Sequence, residues 1–125
     1  MTPGPELDAA VLRILGYDLR KMVLCGATPD VAALFYDDVA TGHEEAVDGS
    51  ISTEPNGHEA LRLCGPWLDE RCEWSVSFYL MAELSDHRHV ASAYDRNLNF
   101  FKVRCATRAE AICRLVLAVA EREGT

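Results

Sequence analysis

The sequence predicts an α+β fold: a layered sandwich in which a mainly antiparallel sheet of three to four strands is flanked by an N-terminal helix, a kinked middle helix and a C-terminal helix. Three observations carry this expectation. Apolar residues recur at helical spacing near both ends of the chain. Residues 74–80 alternate apolar and polar with period two, and two further strand-like runs follow across short polar turns. The 125 residues, 49% of them hydrophobic, suit one domain spanning 1–125. A chain of that size buries about two-thirds of its unfolded surface without staples.

The first helix has signals at both ends. Pro5 fits an initial turn, where its missing N–H would have no partner, and Glu6 and Asp8 complement the positive end of the helix dipole. Leu7, Ala10, Val11, Ile14 and Leu15 share one face, and Gly16 supplies a left-handed stop. Tyr17 to Cys25 then alternates as a strand. Between 31 and 39 the pattern is ambiguous. Thr28-Pro29-Asp30 starts a helix well, with Val31, Leu34, Phe35 and Val39 as its stripe, yet Val31 to Tyr36 also reads as a short buried strand. Thr41 to Gly57 is polar and punctuated by Gly42, Gly49, Pro55 and Gly57, and is expected to be surface. Residues 27–57 therefore read as an acidic excursion within the domain.

The middle helix runs from Gly57 to Asp69, with Leu61, Leu63, Cys64, Trp67 and Leu68 as its apolar members. Gly65-Pro66 predicts a kink or two pieces, because proline removes a backbone donor and clashes with the preceding turn. Trp74, Val76, Phe78 and Leu80 alternate with Ser75, Ser77 and Tyr79; His89–Tyr94 and Leu98–Cys105 complete an antiparallel meander. Thr107 and Glu110 form a capping box for the last helix. Its buried stripe is Ile112, Leu115, Val116 and Val119, with Glu110 and Arg114 as an i, i+4 ion pair.

Charge is unevenly distributed. Residues 30–73 hold eleven Asp or Glu against two Arg, a net −9, whereas the preceding stretch is neutral and the following one carries +1. Such polarity suits a basic partner and disfavours a nucleic-acid backbone. The plain alternative is a solubilising face, since a net charge of about −2 to −8 is what a small soluble domain carries. No apolar run reaches the roughly 20 residues of a membrane span. The opening Met1-Thr2-Pro3-Gly4-Pro5-Glu6 lacks the basic start and apolar core of a signal peptide. Five cysteines, an odd number without a C-x-x-C pair, read as structural thiols in a reducing cytoplasm.

Four segments together resemble the phage ABA-sandwich domain, a family of uncharacterised bacteriophage and prophage proteins. They are Leu7-Asp8-Ala9-Ala10-Val11 through Leu15-Gly16-Tyr17; Ile51-Ser52-Thr53-Glu54 leading to Ala60-Leu61; Trp74-Ser75-Val76-Ser77-Phe78; and Ala106-Thr107-Arg108-Ala109-Glu110-Ala111-Ile112-Cys113-Arg114. The resemblance implies a phage origin and a layered fold, and carries over no catalytic residue. The chain departs from the family pattern in a longer stretch from Val23 to Gly49 and in Gly65-Pro66.

Motifs for catalysis are absent. There is no G-x-S-x-G elbow, no phosphate-cradling G-x-x-x-x-G-K-[ST] and no G-x-G-x-x-G. Asp37-Asp38 through His43-Glu44-Glu45 to Asp48 has the ligand types of a divalent-metal site without a geometry-fixing spacing, so a solvated acidic loop is the stronger reading and no metal or other cofactor is expected. His87 and His89 would need a third ligand, such as Cys105 or Cys113, to hold zinc, and solvated turn histidines near their ordinary pKa are the stronger reading. Arg88, Arg96, Lys102, Arg104 and Arg108, with Tyr94, Phe100 and Phe101 among them, have a stacking-plus-charge composition, but meander aromatics are more often core.

The expectation is a non-enzymatic phage accessory protein in the host cytoplasm. It would bind and inhibit a host protein with a basic surface, such as a nucleic-acid-handling defence component, with Asp37, Asp38, Glu44, Glu45, Asp48 and Glu54 as interface candidates. The rival expectations are a small-molecule or nucleotide-signal binder, with cations converging from the second half, and a metal-dependent enzyme at Asp37–Asp48. Self-association through a sheet edge, in Tyr17–Cys25 or in the meander, is also expected.

Overall fold

The structure, a computed structural model, describes residues 2–16, 18–24, 32–37, 44–46, 51–54, 56–79 and 88–124, with the stretches 18–24, 32–37 and 44–46 described by their backbone. The element order is α1 (Pro5–Ile14), β1 (Asp18–Leu24), β2 (Ala32–Asp37), β3 (Glu44–Ala46), α2 (His58–Asp69), β4 (Cys72–Phe78), β5 (His89–Asp95), β6 (Phe100–Cys105) and α3 (Arg108–Glu123). This is the α+β arrangement expected, an antiparallel sheet flanked by helices. Among the described residues the strands form two three-stranded antiparallel sheets, β1-β2-β3 and β4-β5-β6.

The helix ends follow their sequence signals. Pro5 occupies the first turn of α1, and Gly16 closes the helix at φ 96°, a left-handed conformation open to glycine at little cost. Thr107 Oγ1 accepts a hydrogen bond from the Glu110 N–H at 3.2 Å, which caps α3. The Glu110 carboxylate turns to Arg114 Nε at 2.6 Å instead of returning to the cap, so the box is closed on one side. Gly57 starts α2 at φ 67° and is buried where a Cβ would lie 3.2 Å from Ala109 N; glycine here lets the start of α2 meet the start of α3.

Three sequence expectations need correction or sharpening. Residues 32–37 are strand β2, because they pair with β1 from Leu24↔Ala32 to Asp18↔Asp37, and the helical alternative is not adopted there. The stretch expected to be a surface excursion contains strand β3 and a core anchor. Ile51 and Ser52 have no exposed surface, and the Ser52 N–H donates to Asp8 Oδ1 at 2.9 Å. Asp8, in the first turn of α1 as expected, is itself 2% exposed and also ties residue 52 to the helix. The middle helix continues through Gly65-Pro66 as one helix. Pro66 has no N–H to offer the helix, and it lies on the exposed side of α2. The Glu70 N–H in turn donates to the Pro66 carbonyl at 3.2 Å.

The described core lies between the helices and one face of β4-β5-β6. Leu7, Leu12, Ile51, Leu68, Ile112, Leu115 and Val116 are fully buried, and each such side chain contributes about 1.5–3 kcal/mol through burial. α3 lies against β5 and β6, α2 against β4 and α3, and α1 against α3. Alternation in the strands explains the sidedness: Ala91, Ala93 and Cys105 are buried on the helix side, whereas Glu73, Ser75, Tyr94, Lys102 and Arg104 are exposed on the other.

Candidate functional site

The predicted acidic residues fall into three situations. Asp37, Glu44 and Glu45 lie in the β1-β2-β3 sheet. Register places Asp18 opposite Asp37 and Asp37 opposite Glu44, so three acidic residues occupy one row across all three strands. Glu45 is opposite Tyr36. Like charges at directly opposed positions destabilise a sheet, and a row of them gains from a cationic neighbour. Asp38 and Asp48 lie outside the described residues. Glu54 serves the fold: its Oε2 accepts the Glu59 N–H at 3.1 Å, supplying at the start of α2 the side-chain cap that Gly57 lacks.

Sequence reasoning did not single out a second acidic feature, a groove of about 380 Å³ between the C-terminal end of α2 and the β5–β6 turn. Its charged lining comprises Asp69, Glu70, Glu73 and Asp95 against Arg71 and Arg96. Both guanidinium groups are engaged. Arg71 stacks 4.1 Å over the Trp67 ring, donates to the Trp67 carbonyl at 3.1 Å and approaches Glu123 at 3.4 Å. Arg96 donates to the Glu70 carbonyl at 3.2 Å. Asp95 builds the turn: Oδ1 accepts the N–H groups of Asn97 at 2.9 Å and Asn99 at 2.8 Å, while Oδ2 accepts the Asn99 amide at 2.8 Å. The Asn99 side-chain bond, with help from the backbone donors, holds this carboxyl below its usual pKa. Four carboxylates against two committed cations repel a phosphate group, which disfavours the nucleotide-signal expectation for this groove.

Among the described thiols Cys72, Cys105 and Cys113 are poor nucleophiles. Cys64, Cys105 and Cys113 are buried and free, and Cys72 is half-buried and free. Burial pushes the Cys105 thiol up to about 11. The hydrogen bond with Cys64, followed by burial, raises that of Cys113. Cys72 is raised by burial and then by Asp95, Glu123 and Asp69, and its Sγ donates to the Leu68 carbonyl at 3.3 Å. A protonated thiol neither attacks nor ligates readily. Cys25 lies outside the described residues.

His89 is a strand residue with a shifted pKa, not a solvated turn histidine. His89 lies opposite Cys105 in the β5–β6 ladder, with its ring 5.0 Å from that of Phe78, and His87 is outside the described residues. Burial, then Arg108, lowers the His89 pKa. Among the described residues no three His, Cys, Asp or Glu side chains gather where they could hold a metal ion. The basic-aromatic expectation resolves into an open sheet face. Tyr94 and Phe100 stand opposite each other with ring centroids 4.8 Å apart, both about half exposed, and Lys102 and Arg104 follow along β6. Phe101 points to the other face and packs against the core.

Among the described residues no helix is long and apolar enough to cross a membrane. Compared with protein-family models, curated proteins and solved structures, the chain matches none.

Proposed function

We propose that this chain is a non-enzymatic accessory protein, phage-encoded as its resemblance to the ABA-sandwich family implies. It acts in the host cytoplasm by binding and inhibiting a host protein with a basic surface. The observation that carries this reading is the single register row of Asp18, Asp37 and Glu44 across β1, β2 and β3. Folding these positions together has a cost in water, and a Lys- or Arg-rich partner offsets it. The net-negative groove at the end of α2 favours the same class of partner. The four described thiols, buried or with raised pKa, support a role without nucleophilic chemistry.

The test is a pull-down from host lysate at low and at high salt. The expected result is a basic partner retained at low salt by the wild-type chain and by Arg96/Lys102→Ala, but lost from Asp37/Asp38/Glu44/Glu45→Ala. Undiminished capture by the acidic quadruple variant, checked for native circular dichroism, overturns the proposal.

A further inference from the structure

The β4-β5-β6 sheet has two outer strands, and they are built differently. Among the described residues each pairs with β5 alone. The Tyr79 N–H donates to the Arg88 carbonyl at 2.9 Å, one step beyond the Phe78↔His89 pair. Hydrogen-bonded pairs alternate along an antiparallel ladder, so Glu73, Ser75 and Ser77 direct their backbone groups to β5. Cys72, Trp74, Val76 and Phe78 then direct theirs outward. On the far side the Asp95 N–H donates to the Asn99 carbonyl at 3.1 Å, and the same alternation leaves Phe100, Lys102 and Arg104 with outward backbone groups on β6.

Charge separates the two edges. β6 carries Lys102 and Arg104, the means by which sheet edges are commonly kept apart. A two-fold pairing of β6 with itself over its full outward run would centre on Lys102 and set it against its own copy. β4 spans seven residues with Glu73 as its one charge; it holds no proline and shows no register shift against β5. An edge this long and regular, with so little charge, is a template for another strand.

We infer that the β4 edge is a homodimer interface, in which β4 of a second copy pairs antiparallel about a two-fold axis at Ser75. This register uses the whole strand and obeys the alternation. Ser75 faces Ser75 of the second copy as a non-hydrogen-bonded pair, flanked by hydrogen-bonded pairs of Trp74 with Val76 of the second copy and Cys72 with Phe78 of the second copy. Glu73 faces Ser77 of the second copy, so no like charges meet. The side-chain pairs on the helix side are an aromatic with a β-branched residue and a thiol with an aromatic, both favourable across strands.

The surroundings of the edge fit the same occupant. On the helix side Leu61 is 38% exposed and Phe78 53%, with Trp74 and Val76 half-buried between them. A Cβ placed on Gly65 would lie 3.7 Å from Leu61 Cδ1 and 3.9 Å from Trp74 Cζ2, so Leu61 and Trp74 meet over Gly65 in an apolar seam, and Val76 and Phe78 continue the Trp74 face along β4. The Trp74 indole N–H donates to Asp69 Oδ1 at 2.8 Å, which satisfies its polar atom and fixes the ring. A two-fold axis brings this seam against its own copy beneath a six-stranded sheet. On the opposite side the Ser75 hydroxyl lies 3.5 Å from that of Ser92, a small neutral surface that does not resist close approach.

Because Ser75 is exposed and lies on the axis, it gives a test specific to register. The mass of the full chain is measured by light scattering across a micromolar to submillimolar series for wild type, Ser75→Lys and Ser75→Glu, and for an equimolar mixture of the two variants. The wild type is expected to dimerise, each variant to raise the dissociation constant about fivefold through opposed like charges, and the mixture to recover the wild-type constant. A Ser75→Cys chain treated with oxidised glutathione should form a covalent dimer beyond the wild-type background, because directly opposed positions lie within disulfide reach. Ser77→Cys should not, since its opposite number is Glu73. A wild type that stays monomeric overturns the inference, as does a mixture no tighter than its components. So does a Ser77→Cys crosslink equal to that of Ser75→Cys. Capture of an extended segment of another protein by a monomeric wild type, weakened in Ser75→Lys, would reassign the edge to a foreign strand and equally overturn it. Neither arm depends on the acidic row, so failure here leaves the host-partner proposal standing.

Discussion

The two sheets share strand number and antiparallel pairing, but their sequences solve different problems. In β4-β5-β6 the alternation is regular: Trp74, Ala91, Ala93 and Val103 face the helices, and Glu73, Lys102 and Arg104 lie on the open face. In β1-β2-β3 one register row is acidic throughout, and the pairing of β1 with β2 shifts between Asp18 and Lys21. The first sheet gains stability from burial. The second sets Asp18, Asp37 and Glu44 at directly opposed positions, where like charges oppose pairing.

Leu115→Ala removes a fully buried side chain from α3 and is expected to cost about 2–5 kcal/mol of unfolding free energy, read from urea titration. A loss near zero would mean that α3 is not the core of this half. Thr107→Ala removes the α3 cap and should cost about 1 kcal/mol in the same assay, whereas Thr107→Ser should retain most of it.

The acidic row should respond with the opposite sign. Asp37→Asn is expected to raise stability by about 0.2–1 kcal/mol at low salt, and the gain should shrink as salt screens the row. A destabilising Asp37→Asn would show that the carboxylate is held by a favourable partner, and the contrast between the sheets would fail.

The smallest effect is on pH dependence. His89 has a folded-state pKa lowered from its ordinary 6.5, chiefly by burial. Its neutral form is the one favoured in the fold, so its contribution is complete above the unfolded pKa and is lost as pH falls through the folded value. Denaturation midpoints should therefore fall between neutral and mildly acidic pH, and His89→Gln should flatten that part of the profile. An unchanged profile in the variant would assign the dependence to other groups.

Legibility followed the range of the interactions involved. The α1 stop at Gly16, the Thr107 cap and the strand phase of Trp74, Val76 and Phe78 were readable because each depends on neighbours within a few residues. The strand at 32–37 was not decidable, since an apolar run fits helix or strand until β1 lies beside it. Ile51 and Ser52 were hidden in polar surroundings, and their burial depends on Asp8, more than forty residues away in sequence. Of the predicted interface residues, Asp37 and Glu44 acquired a shared row that spacing could not reveal, and Glu54 became a helix cap. The groove at the end of α2 had no local signature, because its carboxylates come from a helix end, a strand and a turn.

The sequence by itself determined where helices start and stop, the phase of the meander and the concentration of negative charge between residues 30 and 73, since capping, alternation and composition are local properties. Tertiary structure decided which acidic residues share one register row, that Asp8 holds residue 52 in the core, and that β4, with one charge, and β6, with two, become the outer strands of one sheet. Those outcomes depend on register and on distant partners, and register is a relation between strands that no single segment contains.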